Sequence, residues 1–479
     1  MQIKSSNESE VRKLFIIFVG LFLFLIGSLS VAILYYPLSW GLMDDGQNLR
    51  NIRSEWLNLN FFEVMRQYST IHYFRPVYTL FVYVGYHLFV RNPKGFYFFN
   101  FLFILVAIYP WGKLIHRQLH GANRKFMTLV FCFFLLAATP LYNLIVYLSL
   151  QEKFVIFFAG WSFLALDLSL DDSEGRFWWP LQITALVCFV FGMWSKPTMI
   201  ACAPWAILAL AFTPNRTFSR RWLPCIIWLV TTLAMARVYL RRTDDYSSRY
   251  TLDWHTLSNY LFGQPKMSYF CLAIAAAAIV IVLLDGREAH GSQGFVVPRP
   301  WVWPITLIFY ITALLPWAIA TYLWAPAMVL TSGVLVLLID WVLTYRKDLQ
   351  IYVMPLLLAS ASAAAAVVVF HVAIPRLARQ SEIGQTVKWL SEQLPKPDID
   401  IFVMVPCAEA SWNLQYQTGD KQPFYYLGYP DQAAGQRLPH AWLITRDECP
   451  RDTVQQAQFQ KIIFQLPHWT IYSNQPRQG

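Results

Sequence analysis

The chain has 479 residues, of which 56% are hydrophobic, 17% aromatic and only 14% charged. Soluble globular proteins carry about a quarter charged residues, so this composition excludes a soluble domain, a disordered chain, a coiled coil and a small disulfide scaffold. The net charge of +10 does not indicate a nucleic-acid partner. The basic residues fall mostly in short loops between apolar segments, and no zinc-finger, basic-zipper or RNA-binding signature accompanies them.

A transmembrane helix needs about 20 apolar residues to cross roughly 30 Å of hydrocarbon. By that rule spans are expected near 14–36, 96–115, 126–147, 154–170, 177–194, 198–213, 222–240, 267–285, 301–322, 325–344 and 350–374, about eleven in all. The first is too long, and lacks the small-residue cleavage site, for a cleaved signal peptide. Pro76–Val90 is apolar but is bounded by Arg75 and Arg91. It reaches only about 22 Å, so it reads as a helix lying at the membrane surface. Loop charges support that choice. With the N-terminus cytoplasmic, Arg12, Lys13, Arg117, Arg124, Arg220 and Arg346 all fall on the cytoplasmic side, while the short outer loops hold Lys153 and Lys196. That is the positive-inside pattern.

An odd number of spans puts the polar tail, 376–479, outside the cytoplasm. Glu382–Leu394 reads as a helix, and Ile399–Val405, Ala441–Thr445 and Lys461–Ser473 read as strands. The expected architecture is an α-helical polytopic membrane module over 1–375, with a first outer loop at 37–95, followed by a small α/β domain. Five of the seven cysteines (Cys132, Cys188, Cys202, Cys225, Cys271) lie in apolar stretches and read as small buried hydrophobes. Cys407 and Cys449 lie in the polar tail. They either form a disulfide in an oxidising compartment or remain two free thiols.

Long ordered loops usually carry function, and the first outer loop opens with Asp44-Asp45-Gly46 directly after span one. It continues through helix-like stretches at Gln47–Trp56 and Phe61–Tyr68 to His72-Tyr73-Phe74-Arg75-Pro76. Adjacent carboxylates at a membrane surface raise one pKa or recruit a cation. They serve as a general base, as ligands of a hard divalent ion such as Mg or Mn, or simply as a cap on the following helix.

This order of features resembles the GT-C superfamily of integral-membrane glycosyltransferases: an acidic pair after span one, surface helices, then Arg-Pro before another. It is similar to the protein O-mannosyltransferases and the lipid A aminoarabinose transferases. The resemblance implies a sugar donor carried on a polyprenyl phosphate, with Asp44 or Asp45 taking the proton from the acceptor hydroxyl as it attacks the anomeric carbon. Such a single displacement inverts the sugar. No HxxxE or similar metal-like cluster accompanies the pair.

A departing lipid phosphate needs cations near it. Lys196, in Trp194-Ser195-Lys196-Pro197-Thr198, sits between two spans and either binds that phosphate or snorkels as an anchor. Arg75, Arg237 and Arg241 are further phosphate candidates. Arg237 sits deep enough in its span to be costly unless paired. Gln151-Glu152-Lys153 reads as a polar outer turn, with Glu152 and Lys153 either near the donor or in an ordinary hairpin. His72, Tyr73 and Tyr246 are candidate contacts for sugar or acceptor, against the plainer reading of interfacial aromatics. His371 reads as a polar residue near a span end.

The partners expected are therefore a polyprenyl-phosphate sugar, a glycan, lipid or protein acceptor, and membrane lipid, at a bacterial inner membrane. A transporter would place polar broken helices at mid-membrane, often in two repeated halves, and no internal repeat is present. A polysaccharide polymerase or ligase tends to carry its key basic residues in late outer loops.

Overall fold

The computed structural model describes residues 2–38, 60, 62–64, 66, 75–89, 92–119, 123–146, 148, 150–171, 176–211, 218–240, 271–279, 302–314, 324–393, 400–404, 424–427, 441–446 and 461–473. Among these, six helices are long and apolar enough to cross a membrane, and shorter apolar helices accompany them. The chain is an α-helical integral membrane protein with a small C-terminal sheet.

Helix α1 (Gln2–Tyr35) contains a 24-residue apolar stretch, Arg12–Tyr35, and only 17% of its most apolar 18 residues are buried inside the protein. Its inward stripe is Phe18, Leu25, Leu29 and Ile33, at helical spacing. Lys94 Nζ donates to the Leu34 carbonyl, 3.1 Å away, and ties the end of α1 to the start of α3. Ahead of α2, Asn60 and Glu63 exchange side-chain-to-backbone hydrogen bonds of 2.9 and 3.0 Å. This reciprocal cap opens a helix where one was expected. Helix α2 (Pro76–Phe89) is 14 residues long, about 21 Å and too short to span. It buries Tyr78 and Val82 and exposes Leu80 and Leu88.

The centre of the bundle is α3 (Pro93–Gln118) running parallel to α6 (Glu152–Asp171). Trp111 Nε1 donates to the Ile156 carbonyl at 2.8 Å, and the contact depends on Gly160: a Cβ there would lie 2.7 Å from the indole nitrogen. Small residues of this kind let membrane helices approach closely. The expected span 126–147 is broken into α4 (Arg124–Ala137) and α5 (Thr139–Val146). Pro140 has no N–H to offer the carbonyl one turn back, so the helix stops and restarts there. Helix α7 (Trp178–Ser195) returns antiparallel beside α6, with Ser162 Oγ donating to the Ala185 carbonyl at 2.7 Å.

Pro197 ends α7. The expected span 198–213 is instead a 3-10 turn, Pro197–Cys202, followed by the short α8 (Ala203–Ala211). Then come α9 (Phe218–Leu240), a helical segment at 271–279, α10 (Val302–Leu314) and α11 (Ala325–Tyr345). Gly333 of α11 lies against the Trp303 ring, where a Cβ would sit 2.3 Å from Cζ3.

The change in composition near 376, where the membrane module gives way to the tail, falls within one continuous helical rod. Helix α12 (Gln350–Ala366) passes through a π-helical turn, Val367–Ala373, straight into α13 (Ile374–Gln393). Pro375 cannot donate to the carbonyl of His371, and the ladder widens just ahead of it. The expected helix at Glu382–Leu394 is the end of this continuous rod. His371 is exposed on the π turn.

The sheet has five strands: β1 (Asp400–Met404), β2 (Phe424–Leu427), β3 (Ala441–Arg446), β4 (Lys461–Gln465) and β5 (Trp469–Ser473), in the order β2-β1-β3-β5-β4. β1 pairs parallel with β2 and β3, while β5 pairs antiparallel with β3 and β4. The single strand expected over 461–473 is thus a hairpin turning at Leu466–His468. Trp389 of α13 stacks on Phe464 at 4.8 Å and packs on Trp442 at 5.6 Å. Glu382 accepts from the His468 backbone N–H at 3.2 Å. The sheet is therefore mounted on the same rod that ends the membrane module.

Candidate functional site

The expected outer turn at Gln151–Lys153 is not a hydrophilic hairpin. Glu152 and Lys153 open α6 and are both 0% exposed, and Gln151 is buried with them. Glu152 sits where the first turn of a helix favours an anion, and Lys196 caps the C-terminal end of α7, where a cation is favoured. Because α6 and α7 are antiparallel, these two ends meet. Lys196 Nζ lies 2.9 Å from Glu152 Oε1, with its side chain 17% exposed. The contact is an ion pair that does not meet hydrogen-bond geometry, and Glu152 Oε2 has no hydrogen-bond partner among the described residues.

Lys153 is held from three sides. Its ammonium donates to Asn100 Oδ1 and to the Leu148 carbonyl, both at 2.6 Å. It also lies 4.8 Å from the Phe81 ring centroid on α2, within cation–π range. Asn100 of α3 turns its amide to the Leu144 and Ile145 carbonyls at 2.7 and 3.1 Å. Those are end carbonyls of α5, left without intrahelical donors. A helix C-terminus and an asparagine relay thus stabilise a cation taken out of water.

The long rod reaches the same place. Arg376 donates to Asn143 Oδ1, and Tyr142 Oη donates to the Ala373 carbonyl at 2.9 Å. From the other side, the Tyr310 hydroxyl of α10 faces Thr198 and lies within electrostatic reach of Glu152. Neither the Tyr310 nor the Thr198 hydroxyl meets hydrogen-bond geometry with a described partner.

Sequence reasoning therefore named Glu152, Lys153 and Lys196; the structure pairs Glu152 with Lys196, while the neighbouring Lys153 turns to Asn100 and the Leu148 carbonyl. It missed Asn100, Asn143, Tyr310 and Arg376. The first three are isolated polar residues in apolar stretches, and that isolation is the signal the sequence offers; Arg376 opens the polar tail, where nothing sets it apart from its neighbours. Arg75 is half-buried immediately before α2, and its backbone carbonyl accepts from Thr79. Arg237, expected to be deep in its span, is exposed near the end of α9 and makes no ion pair among the described residues. Asp44, Asp45, His72, Tyr73, Arg241, Tyr246, Cys407 and Cys449 lie outside the described residues. Among the described residues no group of three His, Cys, Asp or Glu could hold a metal.

Chemically, the cluster holds two ammoniums against one carboxylate among the described residues. Its surplus positive charge, screened from water by aromatic rings, suits an anion carried on an apolar body.

No protein-family model matches the chain, and no curated protein sequence does either. Solved structures do match. The crystal structure of ArnT from Cupriavidus metallidurans bound to undecaprenyl phosphate aligns over 96% of this chain and 98% of its own, with 11% identity and a TM-score of 0.52. The oligosaccharyltransferase of Archaeoglobus fulgidus, in complex with zinc and sulfate, aligns over 77% of this chain and 59% of its own, with 11% identity and a TM-score of 0.42. That second likeness is too weak to bear on the fold. Coverage of both chains in the first case takes in helical module and C-terminal domain alike, and on it this chain has the fold of ArnT.

Proposed function

We propose that the protein is an inverting glycosyltransferase that moves a sugar, hexosyl or pentosyl, from a polyprenyl-phosphate donor to an acceptor at the outer face of a bacterial inner membrane. The observation that carries this reading is the buried, net-positive Lys153–Glu152–Lys196 cluster at one end of a GT-C helical bundle. ArnT, whose fold the chain shares, was crystallised with undecaprenyl phosphate, which supports a lipid phosphate as the anion.

In this reading Lys153 and Lys196 receive the negative charge that grows on the phosphate as the glycosidic bond breaks. Preorganised cations cost no reorganisation at that moment. Asp44 or Asp45 takes the proton from the acceptor hydroxyl, and the pair would hold a divalent ion such as Mg or Mn, which would supply positive charge to the reacting groups. Arg75, Arg237 and Arg241 serve the phosphate, while His72, Tyr73 and Tyr246 contact sugar or acceptor. Residues 1–375 form the catalytic module. The domain at 376–479 stands in the periplasm, its Cys407 and Cys449 joined, and the N-terminus lies in the cytoplasm. The acceptor favoured is a cell-surface glycan such as O-antigen or lipid A, with a protein such as pilin as the second choice.

The test is transfer by the purified full chain in lipid nanodiscs, supplied with radiolabelled undecaprenyl-phosphate sugar and acceptor membranes. Asp44→Asn and Asp45→Asn are expected to abolish label transfer while donor binding persists. Undiminished transfer by the double variant would remove the acidic pair from the chemistry.

A further inference from the structure

The Lys153–Lys196 cluster accounts for the lipid phosphate but leaves three buried polar groups beside it unexplained. Glu152 Oε2 is enclosed and lacks a hydrogen-bond partner among the described residues, and the enclosed Thr198 and Tyr310 hydroxyls face each other without good hydrogen-bond geometry. Glu152 and Tyr310 are 0% exposed. They converge: Glu152 pairs with Lys196, Thr198 is two residues further along the same turn, and Tyr310 of α10 faces Thr198 within electrostatic reach of Glu152. A buried polar group left unsatisfied costs about 1–3 kcal/mol, and more where it is charged. Gathered beside a cation, these groups are placed to be completed by a ligand.

The chemistry of the open hydrogen-bonding positions identifies which part of a ligand. A carboxylate oxygen only accepts hydrogen bonds, and a phosphodiester also only accepts. The phosphate itself cannot satisfy Glu152. A group that both donates and accepts can, and it serves the Thr198 and Tyr310 hydroxyls as well. Sugar hydroxyls have that property.

We infer that Glu152, Thr198 and Tyr310 form the subsite that holds the hydroxyl groups of the donor sugar, next to the lysines that hold its phosphate. The inference rests on the donor reading above and assigns these residues to sugar, not to lipid or phosphate. Tyr310 and Thr198 reach it from α10 and from the turn after α7. The sugar would thus lie between these elements and the start of α6.

The experiment compares two probes on the full chain in nanodiscs: undecaprenyl phosphate, and undecaprenyl phosphate carrying glucose. Tyr310→Phe and Thr198→Val each remove one hydroxyl at nearly constant volume. Each is expected to bind bare undecaprenyl phosphate as the unaltered protein does, and to bind the glucosyl lipid about 3- to 10-fold more weakly, the weight of one hydrogen bond to a neutral partner. The bare lipid doubles as the control for folding. Equal weakening toward both lipids, or weakening toward neither, overturns the assignment. If the unaltered protein binds neither probe, the donor reading itself fails.

Discussion

The two ends of α6 carry two charge clusters that are built differently. At the C-terminal end, Arg117 of α3 reaches two carboxylates at once, with Nε 2.7 Å from Asp167 and an Nη on Asp171. Asp167 is buried, but Arg117 and Asp171 keep access to solvent. Around them Gln182 donates to Ser169 at 2.7 Å and Trp303 to Gln118 at 2.6 Å. There the carboxylates outnumber the guanidinium, and the Gln118 and Gln182 amides each keep one buried atom without a hydrogen-bond partner among the described residues. At the N-terminal end the cations outnumber the carboxylate, and buried polar atoms are again left without such partners. Both clusters leave polar atoms open, and the difference between them lies in the sign of the surplus charge.

Substitutions should separate the two ends by what they damage. The largest effect is expected at Lys153. Lys153→Met removes the cation and strands Asn100 Oδ1, so transfer should fall about 100-fold or more, measured as turnover of labelled donor. Thermal stability should fall less than it does at the C-terminal end of α6. There, Arg117→Ala leaves the buried Asp167 uncompensated, a loss toward the lower end of about 3–5 kcal/mol because Arg117 is part-exposed. Thermal unfolding in detergent reads this as a lowered Tm, while the specific activity of the remaining folded protein should hold.

Between these two kinds of effect lies the rod. Arg376→Ala removes the contact with Asn143 that pins α13 beside α5. Donor KM is expected to rise several-fold, with partial recovery in Arg376→Lys. An unchanged KM would detach the rod from the site.

How far these clusters are legible in sequence differs in the same way. The short loops with Lys153 and Lys196 stand out because charge is rare in the chain, and the apolar runs locate the spans. Burial of the Gln151–Lys153 stretch does not show, because it depends on Asn100 and the ends of α5. Likewise Arg376 meets Asn143, and Tyr142 meets Ala373, across more than 200 residues of chain. No local pattern encodes such contacts. The break at Pro140 and the hairpin turn at Pro467 are marked by prolines, but a membrane helix or an edge strand tolerates proline too, so the residue alone does not place a break. β2 is short, set among polar residues, and offers no alternation to follow.

The smallest effect is expected in the loop between α11 and α12. Arg346 donates to both oxygens of Asp348 at 3.1 and 2.8 Å and holds its carboxyl below the ordinary carboxylate range. A lowered pKa adds stability that is present above the unfolded-state value and is lost as the pH falls through the folded-state value. Both groups are fully solvent-exposed, so the pair is screened. Asp348→Asn should leave Tm at neutral pH unchanged within error, in contrast to Arg117→Ala.

Binding of radiolabelled undecaprenyl phosphate to the full chain in nanodiscs addresses the α6 N-terminus most directly. Lys153→Met and Lys196→Met should each weaken it about tenfold or more, while Arg117→Ala binds normally at a temperature where it remains folded. Equal binding by all three variants would contradict the assignment of that end to a lipid phosphate.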